Sequence, residues 1–308
     1  MKVLITDRVN EKLIDRLLKI GLTVNYKPGI TINELLKIII NFDILIVRGR
    51  LSFTDKVLSK ANNLKLIIRY GVGLDNIDVK YCEKRGIKVY NIPEAFTEAV
   101  AEHTLALILG ILRNIGNAHL SLKEGKWIKE KFIGRELFGK VVGIIGFGRI
   151  GKRVAELLKP FRVKILAYDI IPIPKRYIRL GVRQVSDIMD IAKQADIITI
   201  HVPLTEKTRN LINDKFLSAC KKGIYIINTS RGEVIDETAL KKYIRLGKIA
   251  GIALDVFKNE PNIDKEIIAI GDGLFTPHIG GQTLEANHRA VDKVIEIIER
   301  EIKRRKES

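Results

Sequence analysis

Short apolar runs alternate with amphipathic helical patterns along nearly the whole chain, and that alternation is what most restricts its fold. KVLIT, DILIV, LKLIIRY and IKVYN form a first series, and KVVGII, KILAYD, DIITIHVP, GIYIINTS and IAGIALDVF a second. Runs of consecutive Ile, Val and Leu suit strands buried on both faces, with the intervening helices as crossovers. The class expected is α/β with parallel sheets. A helical segment from about Thr97 to Leu122 separates the two series, and an amphipathic helix from about Thr283 to Lys303 ends the chain. A length of 308 residues leaves room for two domains.

The second series opens on GKVVGIIGFGRIGKRVAELL, which places Gly146, Gly148 and Gly151 in G-x-G-x-x-G spacing between an apolar strand and a helix. The spacing alone is weak evidence, but its position between strand and helix strengthens it. The first glycine permits a tight turn, the second lets backbone approach a pyrophosphate, and the third lets helix and strand pack closely. The helix amino terminus adds unpaired N–H donors for the anion. The next strand ends at Asp169, where a carboxylate accepts hydrogen bonds from an adenosine ribose and repels a 2′-phosphate. Ile170 and Ile171 follow it rather than an arginine, so NAD is favoured over NADP.

Composition removes several other classes. The chain is 46% hydrophobic and 29% charged, which suits a buried core. The amino terminus, MKVLITDRVN, lacks a signal peptide's long apolar segment, and stretches such as LALILGIL are too short to span a bilayer. A soluble cytoplasmic protein without a membrane span is expected. Cys82 and Cys220 have no metal-ligand spacing, the five histidines form no H-x-x-H pair, and no metal is expected. The formal charge of +18 raises nucleic-acid binding, but the basic residues are dispersed, apart from the tail KRRKES, and lack interleaved aromatics. The partner expected is a small anionic substrate, not nucleic acid. Abundant Ile, Lys, Arg and Glu beside few Gln hint at a thermophile.

Ligands of open parallel sheets sit beyond the carboxyl ends of the strands. There GIYIINTSRG ends at Arg231, IAGIALDVFKNEP carries Asp255 and Glu260, LFTPHIGGQT carries His278, and DIITIHVP ends at His201. Oxidising an alcohol needs a base for the hydroxyl proton, and histidine titrates near neutrality. A carboxylate on the imidazole favours its charged form, and an arginine pairs bidentately with a substrate carboxylate. Each group has a structural alternative: an ion pair for Arg231, an exposed loop carboxylate for Glu260, a packed loop histidine for His278. His201 reads as support for backbone near the cofactor, and His103, His119 and His288 as helix residues.

These segments, with RYGVGLDNID and VAEHTLALIL, resemble the D-isomer-specific 2-hydroxyacid dehydrogenases, and among them most of all the phosphoglycerate-oxidising members, over nearly the whole chain. The resemblance implies a catalytic set at Arg231, Glu260 and His278. It implies NAD contacts at Gly146, Gly148, Arg149, Ile150, Gly151, Asp169, His201, Val202, Pro203, Thr208, Thr229, Ser230, Asp255 and Gly280. It implies substrate contacts at Arg48, Val72 and Gly73 besides Arg231 and His278. The fold it implies is two doubly wound domains. A Rossmann-type NAD domain (94–283) is inserted into a flavodoxin-like substrate domain made of 1–93 and 284–308. A dimerisation arm after Pro93 points to a homodimer or homotetramer. Departures from the family pattern are Phe96, where an Asn is common, and Gly49 after Arg48. The chain stops after its last helix, so feedback through an appended regulatory domain is not expected. The activity implied is oxidation of 3-phospho-D-glycerate, with glyoxylate or hydroxypyruvate reduction as the alternative. An NAD-sensing corepressor is the reading from outside enzymology.

Overall fold

The structure, a computed structural model, describes residues 1–307. Ser308, the last residue of the basic tail, lies outside them. The chain divides into two compact units, one of residues 1–96 with the chain from 281 onward, the other of residues 97–280.

The first unit holds β1 (Lys2–Ile5), β2 (Thr23–Tyr26), β3 (Ile44–Val47), β4 (Leu66–Arg69) and β5 (Lys88–Asn91). All pairings are parallel, in the order β2-β1-β3-β4-β5. This is the flavodoxin-like order. Central β3 reads ILIV and is buried at every position, as a strand covered on both faces must be. The final helix, Leu284–Lys306, starts at Thr283, whose hydroxyl accepts from Ala286 N at 3.1 Å. It buries Ala286, Ala290, Val294 and Ile298, one stripe at helical spacing. Near its end the buried carboxylate of Glu301 accepts from Lys88 Nζ at 2.5 Å and Tyr90 OH at 2.8 Å, which ties the helix to edge strand β5.

The second unit holds β6 (Val141–Ile145), β7 (Lys164–Tyr168), β8 (Val182–Gln184), β9 (Ile197–Ile200), β10 (Ile224–Asn228), β11 (Ile249–Leu254) and β12 (Gly273–Phe275). The sheet is again parallel, in the order β12-β11-β10-β9-β6-β7-β8. Chain direction across the sheet reverses between β6 and β9, the switch point at which doubly wound sheets open a crevice. Both sheets have the doubly wound character expected.

Two expectations need correction. The helical segment after Pro93 is not continuous to Leu122. It is a helix over Pro93–Leu112 and a second over Ile115–Lys123. Asn114 between them sits at φ 54°, a left-handed conformation that asparagine tolerates and that stops a helix. Among the described residues, Pro93–Leu112 is also long and apolar enough to cross a membrane by length and composition, with a mean hydropathy of 1.5. The run LALILGIL, too short by itself to span a bilayer, is the end of this longer helix. The helix packs Ala101, Leu107, Ile108, Ile111 and Leu112 in one core cluster with Val142 and Ile144 of β6.

Candidate active site

β10, β11 and β12 are neighbours, and Asn228, Leu254 and Phe275 stand at one level across them. Parallel pairing then brings the loops leaving their carboxyl ends side by side. Arg231 follows β10, Asp255 and Glu260 follow β11, and His278 follows β12, all within the second unit. His278 Nδ1 lies 2.7 Å from Glu260 Oε2, and Glu260 Oε1 accepts from Phe257 N at 2.9 Å. Burial pushes the Glu260 carboxyl up. The hydrogen bond and charge of His278, the Phe257 N–H and the charge of Arg231 outweigh burial and hold it below its ordinary 4.5. Glu260 is therefore an anion at neutral pH, held against one imidazole nitrogen, and Nε2 is left for other chemistry.

Asn228 shapes the loop that carries Arg231. Its Oδ1 accepts from Ser230 N (2.9 Å) and Ser230 Oγ (2.8 Å), and its Nδ2 donates to Arg231 O (2.8 Å). The Arg231 guanidinium donates to Ser230 O at 2.6 Å. Gly232 lets this loop lie against the next. A Cβ there would stand 2.0 Å from Phe257 C and 2.3 Å from Lys258 N. Backbone contact at that range is open only to glycine.

At the switch point, Gly146 turns at φ 91°, and a Cβ on it would meet His201 C and O at 2.7 Å. A Cβ on Gly151 would stand 2.1 Å from Gly146 O, so helix and strand touch there. A Cβ on Gly148 would meet nothing within 4 Å, which leaves open space in front of the loop. The helix Arg149–Leu158 starts there without a side-chain cap. Its first N–H groups, at Arg149 and Ile150, are the donors a pyrophosphate would need. The residues present fit a dinucleotide.

A family model described as "D-isomer specific 2-hydroxyacid dehydrogenase, NAD binding domain" matches residues 105–280, more than half of the chain. The chain belongs to the D-isomer specific 2-hydroxyacid dehydrogenase family. It is 43% identical over 301 residues to the D-3-phosphoglycerate dehydrogenase of Methanocaldococcus jannaschii, covering 97% of this chain and 57% of that protein. It is 43% identical over 273 residues to the hydroxypyruvate reductase of Thermotoga maritima, covering 88% of each. The D-lactate dehydrogenase of Aquifex aeolicus, solved in complex with NAD and lactic acid, superposes with a TM-score of 0.86 at 32% identity, over 98% of this chain and 95% of that one. The chain spans just over half the length of the curated phosphoglycerate dehydrogenases it matches.

Several residues expected to serve NAD in this member of the family also have duties within the protein. Asp169 accepts from Phe147 N at 2.6 Å and Ile171 N at 2.9 Å, so it ties the end of β7 to the glycine loop and keeps acceptor capacity on both oxygens. His201 Nε2 is 2.9 Å from Thr199 Oγ1, while Nδ1 is buried with no hydrogen-bond partner among the described residues. Burial lowers its pKa to about 3, so the ring stays neutral. Thr208 Oγ1 donates to Pro203 O at 2.6 Å and knits the loop that begins at Val202. Thr229 Oγ1 meets Thr104 Oγ1 at 3.0 Å. Asp255 is buried, and Gly280 N donates to its Oδ2 at 2.8 Å.

Arg48, Val72 and Gly73 belong to the first unit. Arg50 is spent internally, on Asp7 Oδ1 (3.3 Å), Ile30 O (2.8 Å) and Thr6 O (2.9 Å). The Arg48 guanidinium stands over the Tyr70 ring at 5.7 Å and, among the described residues, hydrogen-bonds Arg8 O alone, at 3.4 Å. The Val72 carbonyl accepts from Asn91 Nδ2 at 2.6 Å, which pins the bend after β4. Sequence reasoning missed Asn228, Thr104, Thr276 and His103. Asn228 had a signal, an Asn two residues before Ser at the end of a strand, the pattern of an Asx turn. His103 had none, because its partner Thr276 is 173 residues away in the chain.

Proposed function

We propose that this chain is an NAD-dependent D-2-hydroxyacid dehydrogenase and that its substrate is 3-phospho-D-glycerate, oxidised to 3-phosphohydroxypyruvate in serine biosynthesis. The observation that carries the reading is the Glu260–His278 contact of 2.7 Å, with the charge of Arg231 beside it. His278 Nε2 takes the proton of the substrate hydroxyl. The Glu260 anion fixes the ring and stabilises the imidazolium that results. Arg231 pairs with the substrate carboxylate and draws charge toward the oxygen that becomes a carbonyl. NAD, when bound, accepts the hydride and both electrons of the broken C–H bond. Gly148, Arg149 and Ile150 would hold its pyrophosphate, Asp169 its ribose, and the free acceptor position on Asp255 Oδ2 its carboxamide. The remaining cofactor contacts proposed are His201, Val202, Pro203, Thr208, Thr229, Ser230 and Gly280.

In the first unit, Arg48 is the group proposed for the phosphoryl tail, because Arg50 is already committed. The bend at Val72 and Gly73 is proposed for the substrate carboxylate. Hydroxypyruvate or glyoxylate reduction is the second reading. It is favoured by the hydroxypyruvate reductase relative, which matches this chain along 88% of both lengths.

Initial rates of NADH formation or consumption with each acid separate the readings. Turnover with 3-phosphoglycerate is expected, and His278→Asn should lower it by about 10²–10⁴-fold. Turnover confined to hydroxypyruvate and glyoxylate would select the second reading. No turnover with any 2-hydroxy or 2-oxo acid would remove both.

A further inference from the structure

We infer that His103, on the helix Pro93–Leu112, is a positioning residue for His278, acting through Thr276 and Asp255. The inference rests on the dehydrogenase reading of His278 and names the device that sets its geometry.

His278 occupies a left-handed backbone conformation, φ 55°, that side chains other than glycine adopt only at an energetic cost. Such a conformation persists where the surroundings over-determine it. The contact with Glu260 cannot do this alone, because the His278 side chain is 49% exposed. The constraint comes from behind the loop. Asp255 Oδ1 accepts from Thr276 Oγ1 at 2.6 Å and from Ile279 N at 2.8 Å, and Oδ2 accepts from Gly280 N at 2.8 Å. The Asp255 carbonyl accepts from His278 N at 2.8 Å. One buried carboxylate therefore pins the loop on both sides of His278.

His103 closes this arrangement. Its Nε2 stands 3.1 Å from Thr276 Oγ1 and 3.3 Å from Asp255 Oδ1. The proton inventory decides the direction of these contacts. The Thr276 hydroxyl has one proton and gives it to Asp255, so toward His103 it can only accept. His103 must carry its proton on Nε2 and donate. Its ring also backs the loop, since a Cβ on Gly280 would meet Asp255 Oδ2 at 3.0 Å and His103 Cδ2 at 3.5 Å. Removing the donor leaves the buried Asp255 carboxylate and the partly buried Thr276 hydroxyl short of one partner and frees one wall of the loop. His278 would then sample orientations away from Glu260. Small displacements of a reacting group of this kind slow the chemical step and leave ground-state binding largely intact.

The test uses the full chain. His103→Leu keeps bulk and removes the donor, and His103→Gln restores an N–H near the Nε2 position. His103→Leu should lower kcat about tenfold with KM for NAD changed less than about twofold, and His103→Gln should recover most of the loss. Thr276→Val should lower kcat similarly, and the double variant His103→Leu with Thr276→Val should be less than additive. Far-UV circular dichroism and thermal unfolding show which variants are folded, and the Thr276→Val result stands if His103→Leu does not fold. Unchanged kcat in both folded variants, full additivity, or equal losses in His103→Leu and His103→Gln would overturn the inference. His278→Asn tells the two ideas apart. If it is inactive while His103→Leu is fully active, only the positioning role fails; if it is as active as the parent, the dehydrogenase site itself is wrong.

Discussion

Two histidines at strand ends differ because their surroundings differ. His278 is half exposed and held by a carboxylate, whereas the His201 imidazole is enclosed and burial lowers its pKa to about 3. The folded chain keeps His201 neutral, while the unfolded chain protonates it below about 6.5. Between those two values the unfolded state binds more protons, so stability falls as pH falls, by up to about 1.4 kcal/mol per pH unit from this group. Denaturant unfolding across that window should show a shallower slope for His201→Gln than for the parent, and identical slopes would refute the assignment. Glu260 has the same sign of dependence in a lower pH window. Its folded carboxyl lies below 4.5, so its contribution is complete above that value and is lost as pH falls through the lower folded one. Glu260→Gln removes the charge that stabilises an imidazolium. It should cut kcat/KM by about 10²-fold or more, measured as initial rates. Arg231, Glu260 and His278 were legible as residue types because polar groups interrupt apolar strand ends. The left-handed backbone of His278 was not, since no local pattern encodes it.

At the scale of elements, the strands that could be read in advance are mostly the buried ones. β3, β4, β6, β7, β9, β10 and β11 are dominated by Ile, Val, Leu and Ala, and such stretches mark a strand packed on both faces. β2 and β8 escaped notice, and β12 was read only through the polar end of LFTPHIGGQT; each of the three is an edge of its sheet. Their sequences, TVNY, VRQ and GLF, are short and only partly buried, so they carry little periodic signal. The loops follow a different rule, in which close approach substitutes for pattern. Gly232 permits the Arg231 loop to touch Phe257 and Lys258, and Gly232→Ala places a carbon 2.0 Å from backbone that cannot retreat. We expect a stability loss of about 1–3 kcal/mol or more and a larger loss of activity than of NAD affinity. Thermal unfolding and NAD titration of the variant check both, and a variant with parental Tm and kcat would refute the close-contact argument.

At the scale of the molecule, the second unit is inserted within the sequence of the first, so the first is completed only when the helix from Leu284 returns to it. The segment after Leu112 leaves Ile115, Leu120, Leu122, Trp127, Ile133 and Phe138 exposed. Exposed large apolar side chains in one stretch of chain suit contact with a second copy, and we propose a homodimer or homotetramer through this segment. Light scattering on the parent should give the mass of a dimer or tetramer, and Trp127→Glu with Ile133→Glu should lower it; a monomeric parent would refute the proposal. Class, connectivity and the glycine cradle were already present in the order of residues, because apolar period and turn chemistry act over short stretches of chain. The meeting of Glu260 with His278, the commitment of Arg50 rather than Arg48, and the partners gathered by the Asp255 carboxylate arise from contacts between distant segments. Those depend on strand order and on which loops a parallel sheet sets side by side, and no local stretch of sequence contains them.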